Sequence, residues 1–169
     1  MRAIGFRVFA TGASTVVLVL AFAGSAMGTP AAGIVSGPIL ARGDFVEQVD
    51  VKVKFERDGR TVVSNAPGAG EVVVQEITIA PGGTTGWHSH PGPVIVVVKQ
   101  GTLTYVRAAG GECILTPYSA GTAFVDPGQG HAHTAFNLGA DNLVLMATYF
   151  DVPVGGSPRI DVPVVPSAC

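Results

Sequence analysis

The four histidines of this 169-residue chain form two pairs with the same His-x-His spacing, His88 with His90 and His131 with His133. Side chains of a β-strand alternate between its two faces, so the members of each pair are expected to project from one face. Imidazole nitrogens are suitable ligands for zinc, copper, iron and nickel. The pattern therefore predicts an inward-facing metal site made from both pairs. The alternative is that each pair is only a polar patch at a strand edge.

The segments that must position these histidines are predicted to be short strands separated by turns. An alternating segment begins the series, with apolar residues at the odd positions Phe45, Val49, Val51, Val53 and Phe55. This alternation predicts a half-buried strand. Asp58-Gly59 is a turn signal, and residues 61–64 are a second strand candidate, so a hairpin is expected.

Further strand candidates follow at residues 71–79, 94–98, 102–106, 114–116, 122–125, 131–137 and 143–150. The continuous apolar run 94–98 is of the kind that is buried on both faces. Residues 107–112 are expected to form a glycine-containing loop. Beyond the first 28 residues, no segment has a capped apolar repeat of 3.6 residues. The chain is therefore predicted to be an all-β sandwich or barrel.

The two ends of the chain differ from this middle part. Residues 1–28 combine two arginines, an apolar run over 13–23 and small residues over 24–28, which is typical of a secretory signal peptide. The apolar run is shorter than the roughly 20 residues of a bilayer span, which disfavours a retained anchor. We therefore expect a secreted protein with no stable membrane insertion after cleavage. Residues 29–43 are interpreted as an extended lead-in without an element, 44–151 as the domain, and 152–169 as a proline-rich tail lying over it.

Two cysteines, Cys113 and Cys169, are expected to form a disulfide in an oxidising compartment, with two free thiols as the alternative. In the chain-entropy view this bond would stabilise the fold by about 4 kcal/mol and would hold the tail. The net charge of −2 argues against a nucleic-acid surface. No motif for a nucleophilic triad, a Cys-x-x-Cys pair or a phosphate loop is present.

Both histidine pairs lie in a framework of glycine and proline. The first framework reads Gly82, five residues, His88-Ser89-His90, three residues, Val94, six residues and Gly101. The second reads Gly121, five residues, Pro127, then Gly130, His133 and Asn137. These spacings resemble the two motifs of the cupin superfamily over residues 72–150. The chain departs from these motifs in two places. It has a valine at the usual glutamate position and one extra residue before Gly130. The Pro-Gly-Pro after the first pair is similar to small secreted single-domain cupins of actinobacteria.

The resemblance implies a cupin-type double-stranded β-helix, or jelly-roll barrel, with the motif histidines facing into its mouth. It implies that His88, His90 and His133 bind a divalent ion such as iron, zinc, manganese or nickel. With Val94 in place of the glutamate, three neutral imidazoles would leave the 2+ charge uncompensated. Such an ion favours an anionic or chelating ligand and acidifies a bound water. The resemblance also allows a homodimer paired through the sheets.

The other polar and aromatic residues have weaker assignments. His131 is expected to be a hydrogen-bond partner of a ligand, with a fourth ligand or an exposed residue as alternatives. Asn137 is expected to anchor backbone, and Trp87 is expected to pack. Tyr105 and Tyr118 are also expected to pack, with a hydroxyl brought to the cavity as the alternative. The carboxylate missing at position 94 could come from Glu76 or Glu112.

Two functions from different classes follow. One is a secreted metal-binding module that holds a small anionic or chelating molecule. The other is a mononuclear metal enzyme, either an iron oxygenase or a hydrolase or isomerase with zinc or manganese. A barrel that binds a small ligand without metal is a further alternative.

Overall fold

A computed structural model describes residues 30–169 as an all-β protein, so the predicted signal peptide lies outside the described residues. Thirteen strands occur in this part of the chain. They are β1 (Ala32–Ser36), β2 (Ile39–Asp44), β3 (Val51–Arg57), β4 (Arg60–Ala66), β5 (Glu71–Thr84), β6 (His88–Ser89), β7 (Val94–Gln100), β8 (Thr102–Ala109), β9 (Glu112–Ser119), β10 (Ala123–Asp126), β11 (His133–Asn137), β12 (Leu143–Val152) and β13 (Ile160–Asp161). Residues 30–169 contain no helix of the length and hydropathy needed to cross a membrane. The predicted all-β class is confirmed.

Antiparallel pairing joins eleven strands into one nearly closed barrel. The order β10-β7-β12-β5-β11-β6-β13 forms its main path, with β1 and β2 on β5, and β8 between β11 and β9. The inward side chains form an apolar core that includes Val73, Ile79, Val98, Leu103 and Leu143. Burial of each such side chain contributes about 1.5–3 kcal/mol, so this core is the main source of stability.

Strands β3 and β4 form the predicted hairpin as a separate two-stranded sheet. Asp58 and Gly59 make its turn with φ of 52° and 70°, the left-handed values that the tightest hairpin turns require. The hairpin contacts the barrel through Ser64, whose hydroxyl donates to the Pro127 carbonyl at 2.7 Å. The alternation was expected to begin at Phe45, but the strand begins only at Val51, where pairing with β4 starts.

The expectation that the apolar run 94–98 is buried on both faces is wrong, because β7 has one exposed face. Val94, Val96 and Val98 point inward, whereas Ile95 and Val97 on the other face are 38% and 40% exposed. A continuous apolar run does not reveal by itself whether a second layer covers its outer face. In this part of the chain no such layer forms over β7.

Two segments interpreted as irregular are strands. The lead-in is extended as expected, but it forms β1 and β2, which pair with β5. Long β5 offers backbone donors and acceptors at its edge, and these bind the lead-in despite its small residues. The predicted loop at 107–112 is a two-residue turn, Gly110-Gly111, between β8 and β9.

The C-terminal tail contributes to the barrel as well. Its strand β13 pairs with β6, and Cys169 forms the expected disulfide with Cys113 on β9. Arg42 of β2 donates to the Gly156 carbonyl at 2.8 Å. The lead-in and the tail are therefore joined to each other, and the tail also pairs with β6, which begins at His88 and directly precedes His90.

Candidate metal centre

Three of the four histidines meet inside the barrel. His88 lies on β6, His90 directly follows it, and His133 begins β11, where it is the register partner of His88. One ring nitrogen of each lies within 4.8 Å of the others, and all three side chains are buried. The structure thus brings together the three residues that the cupin resemblance identified as ligands.

Backbone carbonyls set the tautomers of the first pair. His88 Nδ1 lies 2.8 Å from the Gly86 carbonyl oxygen, and His90 Nδ1 lies 2.7 Å from that of Pro158. A carbonyl oxygen only accepts hydrogen bonds, so each Nδ1 must donate its proton. In a neutral imidazole the other nitrogen, Nε2, then keeps its lone pair. Histidines that bind metals are oriented in this way.

The buried carboxylate of Asp126 sets the tautomer of His133. Its Nδ1 lies 3.1 Å from Asp126 Oδ2 and 3.3 Å from the His131 carbonyl oxygen. Asp126 also accepts from the Tyr105 hydroxyl at 2.6 Å and from the Gly128 N–H at 2.7 Å. All three imidazoles therefore present Nε2 lone pairs.

The charge states of the site follow from burial and from these contacts. Burial would raise the pKa of Asp126, but the neighbouring imidazoles of His133 and His90 and its hydrogen bonds hold that pKa below the ordinary value. Burial, followed by the nearby His133, lowers the pKa of His90 to about 4 and that of His88 well below its usual range. Burial also lowers the pKa of His133, although Asp126 opposes this effect. At neutral pH the site holds neutral imidazoles beside an ionised carboxylate, which is the state that metal binding needs.

His131 does not join the cluster, contrary to the favoured expectation. Its side chain is exposed, and only its backbone carbonyl approaches His133. Gln129 and Gly130 have φ of 54° and 83°, so the chain turns here and β11 starts only at His133. The two-residue alternation holds only within a continuous strand. The extra residue before Gly130 falls in this turn.

The two glutamates considered as replacements for the missing carboxylate lie away from the centre. Glu76 pairs with Lys99 at an exposed position, and Glu112 is exposed beside the β8–β9 turn. Val94 lines the cavity, and its register partner on β10 is Asp126. The sequence interpretation missed Asp126 as the carboxylate of the site. Its place directly before Pro127 in the second motif was the available signal. The expectation of a wholly uncompensated 2+ charge is corrected accordingly.

Two tyrosines pack on the histidines. The Tyr105 ring stacks on that of His133 with centroids 5.0 Å apart, and Tyr149 lies 5.1 Å from the His90 ring. Packing was the favoured expectation for Tyr105, but its hydroxyl donates to Asp126 in the cavity lining, which was the alternative. Tyr149 was not singled out. Tyr118 stacks on Phe124 with centroids 4.2 Å apart.

The remaining motif residues have structural contacts. The Asn137 amide donates to the carbonyls of Ile79 and Asp141. Trp87 is buried, and its carbonyl accepts from the Val162 N–H of the tail. Pro127 is buried as well. Left-handed backbone occurs at the motif glycines Gly82, Gly101, Gly121 and Gly130.

The centre lies between a small inner cavity and a larger outer groove. The inner cavity has a volume of about 50 Å³ and is lined by the three histidines, Val94 and Asp126 among others. That is space for about one or two water-sized groups. The outer groove, of about 590 Å³, also reaches His88 and His90 and is bounded by β1, β2 and tail residues 156–159. The lead-in and the tail thus form the walls of the access route.

The part of the chain that carries this site is similar to known proteins. Residues 75–149 match the family model of the cupin domain. A double-stranded β-helix protein of Klebsiella pneumoniae is 26% identical over 46% of this chain and 64% of its own, with a TM-score of 0.40. An oxalate oxidase in complex with the substrate analogue glycolate is 29% identical over 47% of this chain and 41% of its own, with a TM-score of 0.42. A Bacillus subtilis oxalate decarboxylase studied for its Mn(II) centres is 24% identical over 46% and 21%, with a TM-score of 0.42. No curated protein sequence matches the chain.

Proposed function

This chain belongs to the cupin superfamily through its domain over residues 75–149, and we propose that its barrel binds one divalent metal ion through Nε2 of His88, His90 and His133. One observation carries this proposal. Each of the three Nδ1 atoms faces an oxygen that only accepts hydrogen bonds, so all three Nε2 lone pairs are available together. A merely polar core would not require three imidazoles in the same tautomer.

The three imidazole nitrogens of His88, His90 and His133 are suitable ligands for a divalent ion. Three neutral nitrogens suit zinc, iron or nickel, and they leave further coordination positions open. Asp126 acts on the ion through His133, because a carboxylate at Nδ1 makes the imidazole a stronger donor. The ion would supply Lewis acidity and lower the pKa of a bound water.

The open positions would take a small anionic or chelating molecule. The inner cavity admits only a few atoms at the ion, so the rest of a ligand would occupy the outer groove. Arg159 borders this groove, and its Nε is held 2.7 Å from Asp161 Oδ1. Its positive charge beside the centre favours a carboxylate over a neutral group.

Binding is favoured over catalysis by the partners of the polar side chains. Asp126 accepts hydrogen bonds on both oxygens, the Tyr105 hydroxyl donates to Asp126, and the Tyr149 hydroxyl donates to Gln75. Each of these groups is already engaged by another protein group rather than pointing unpaired at a ligand position. The enzyme alternative therefore depends on chemistry at the ion itself.

An extracytoplasmic location is part of the proposal. It is supported by the character of residues 1–28 and by the Cys113–Cys169 disulfide, because such bonds persist in oxidising compartments.

The deciding experiment is metal content. The mature protein, made without a histidine tag, is reconstituted separately with zinc, manganese, iron and nickel and assayed by elemental analysis. We expect about one ion per chain for at least one metal, and loss of that ion in the double variant His88→Ala, His90→Ala. The matched control is His131→Ala, which removes an exposed histidine and should retain the ion. Less than about a tenth of an ion per wild-type chain, or equal loss in both variants, would reject the site.

Oxygen uptake then separates the two function classes. The iron form is incubated with simple chelating acids such as glycolate and oxalate. Binding without oxygen uptake supports the binding module, whereas turnover that requires His88 and His90 supports an oxygenase.

A further inference from the structure

A pocket of about 610 Å³, separate from the inner cavity and the outer groove, lies between the β3–β4 hairpin, the β8–β9 hairpin and the turn before β11. It contains none of the three histidines of the metal centre. Its charged lining consists of Arg57, Asp58, Arg60 and Arg107, and its other titratable residues are His131 and Tyr105, whose hydroxyl donates to Asp126. We propose that this pocket binds a small organic dianion carried on an apolar body.

Charge is the first argument for this ligand class. Three guanidinium groups and one carboxylate, that of Asp58, line the pocket, and 3 − 1 leaves a local charge of +2. The whole chain has a net charge of −2, so the pocket opposes the average charge of the protein. A concave surface of one sign concentrates ions of the other sign.

The contacts of the arginines are the second argument. Arg107 pairs with Asp58, and its side chain is only 12% exposed. Arg57 donates to the Val125 carbonyl, and its guanidinium carbon lies 4.8 Å from the centroid of the Phe55 ring. These contacts hold two guanidinium groups in place, so a ligand would not have to order them.

Arg60 is different from the other two arginines. It is exposed, and among the described residues it forms no ion pair and no side-chain hydrogen bond. Its planar group suits bidentate contact with a phosphate or carboxylate. It can therefore close on an anion that Arg57 and Arg107 have already positioned.

The rest of the lining explains why an apolar body is expected. Val62, Ile114, Pro127 and Pro166 contribute apolar side chains. Pockets with apolar walls and a few convergent charged groups bind organic molecules rather than bare ions. His131, which the metal centre leaves out, is exposed and belongs to this lining. The second His-x-His pair thus serves two sites, His133 the metal and His131 the pocket.

Phenyl phosphate is a suitable probe, measured by isothermal titration calorimetry. The protein used is the full mature chain with His88→Ala and His90→Ala, so that phosphate cannot bind at the metal centre. We expect saturable binding at one site, weakening with salt, and no comparable binding of neutral benzyl alcohol. In this background Arg60→Gln should weaken binding roughly tenfold, because it removes a charge-assisted contact.

The matched control is Lys54→Gln, which removes the same charge from an exposed position of β3 outside the pocket lining. It should leave the affinity unchanged. A second variant, His131→Gln, should weaken phenyl phosphate binding about two- to threefold in the same background.

Absence of saturable binding, equal loss with Arg60→Gln and Lys54→Gln, or equal affinity for benzyl alcohol would overturn the proposal. The assay uses a chain without the metal ligands. Its result is therefore independent of whether the metal centre exists.

Discussion

Val94 and Asp126 are directly paired across the antiparallel ladder of β7 and β10. Directly paired residues of such a ladder lie on the same face, so the position of the cupin glutamate faces a carboxylate on the next strand. Asp126 contacts the Nδ1 atom of His133, so the Nε2 atom of this ring stays available. The negative charge of the site therefore lies next to the His133 imidazole, and position 94 contributes an apolar valine instead of a carboxylate.

Replacing Asp126 by asparagine should weaken metal binding by about 10- to 100-fold, because His133 would lose the charged acceptor that orients it and raises its basicity. Competition titration of zinc against a chromophoric chelator measures this change. Asp141→Asn, at an exposed position of the turn before β12, is the control and should bind like the wild type. Equal affinities for all three proteins would show that Asp126 has no influence on the ion.

Val94→Glu should place a second carboxylate beside Asp126 in a fully buried position. Without metal, we expect the free energy of unfolding to fall by about 3 kcal/mol or more at pH 7, because like charges would share a dry site. With metal bound, part of this loss should be recovered, while acetate should bind more weakly than to the wild type. Chemical unfolding with and without zinc measures the first effect, and Val94→Gln is the uncharged control. Acetate affinity equal to or tighter than that of the wild type would contradict the charge argument.

The stability of the metal-free protein should fall as the pH is lowered from 6.5 towards 4. An unfolded histidine takes up a proton near pH 6.5, whereas burial and the neighbouring His133 hold the pKa of His90 at about 4. Between these values the unfolded chain binds more protons, so His90 alone lowers the free energy of unfolding by up to about 3 kcal/mol over this range. Urea unfolding at several pH values, with the disulfide intact, gives the slope. His90→Asn should flatten this slope and His131→Asn should not; a slope unchanged in His90→Asn would contradict the assignment.

Removal of the disulfide by Cys113→Ser with Cys169→Ser should lower the free energy of unfolding by about 4 kcal/mol, as expected for cysteines 56 residues apart. It should also weaken metal binding several-fold, because the released tail carries Pro158, whose carbonyl holds His90 Nδ1. Thermal unfolding and zinc titration measure the two effects. If stability falls while zinc affinity stays the same, the pairing of β13 with β6 is sufficient to hold Pro158.

Arg159→Gln should weaken acetate binding to the metal-loaded protein about five- to tenfold without changing the affinity for the metal, since Arg159 borders the groove but lies outside the ligand set. Acetate titration of the cobalt form, followed by its visible spectrum, provides the readout. Lys99→Gln, on the outer face of the barrel, is the control for a general change in charge. Equal acetate affinity in both variants would exclude Arg159 from ligand recognition.

Much of this architecture could be predicted from local patterns. The turn at Asp58-Gly59, the short strands and the spacing of the first histidine pair each depend on a few neighbouring residues. The backbone preferences of those residues act over the same short distance. Strand pairing of the glycine- and alanine-rich lead-in could not be predicted in this way, because it depends on the edge of β5, about 40 residues further along the chain.

The sequence by itself determined that the protein is all-β, that it carries His88, His90 and His133 in cupin spacing, and that two cysteines were available to hold its tail. Only the tertiary structure decided that His131 turns away, that Asp126 supplies the carboxylate and that Pro158 holds His90. The physical reason is that periodicity specifies a face only within one continuous strand. Hydrogen-bond partners 68 residues apart meet only when the strands close into a barrel.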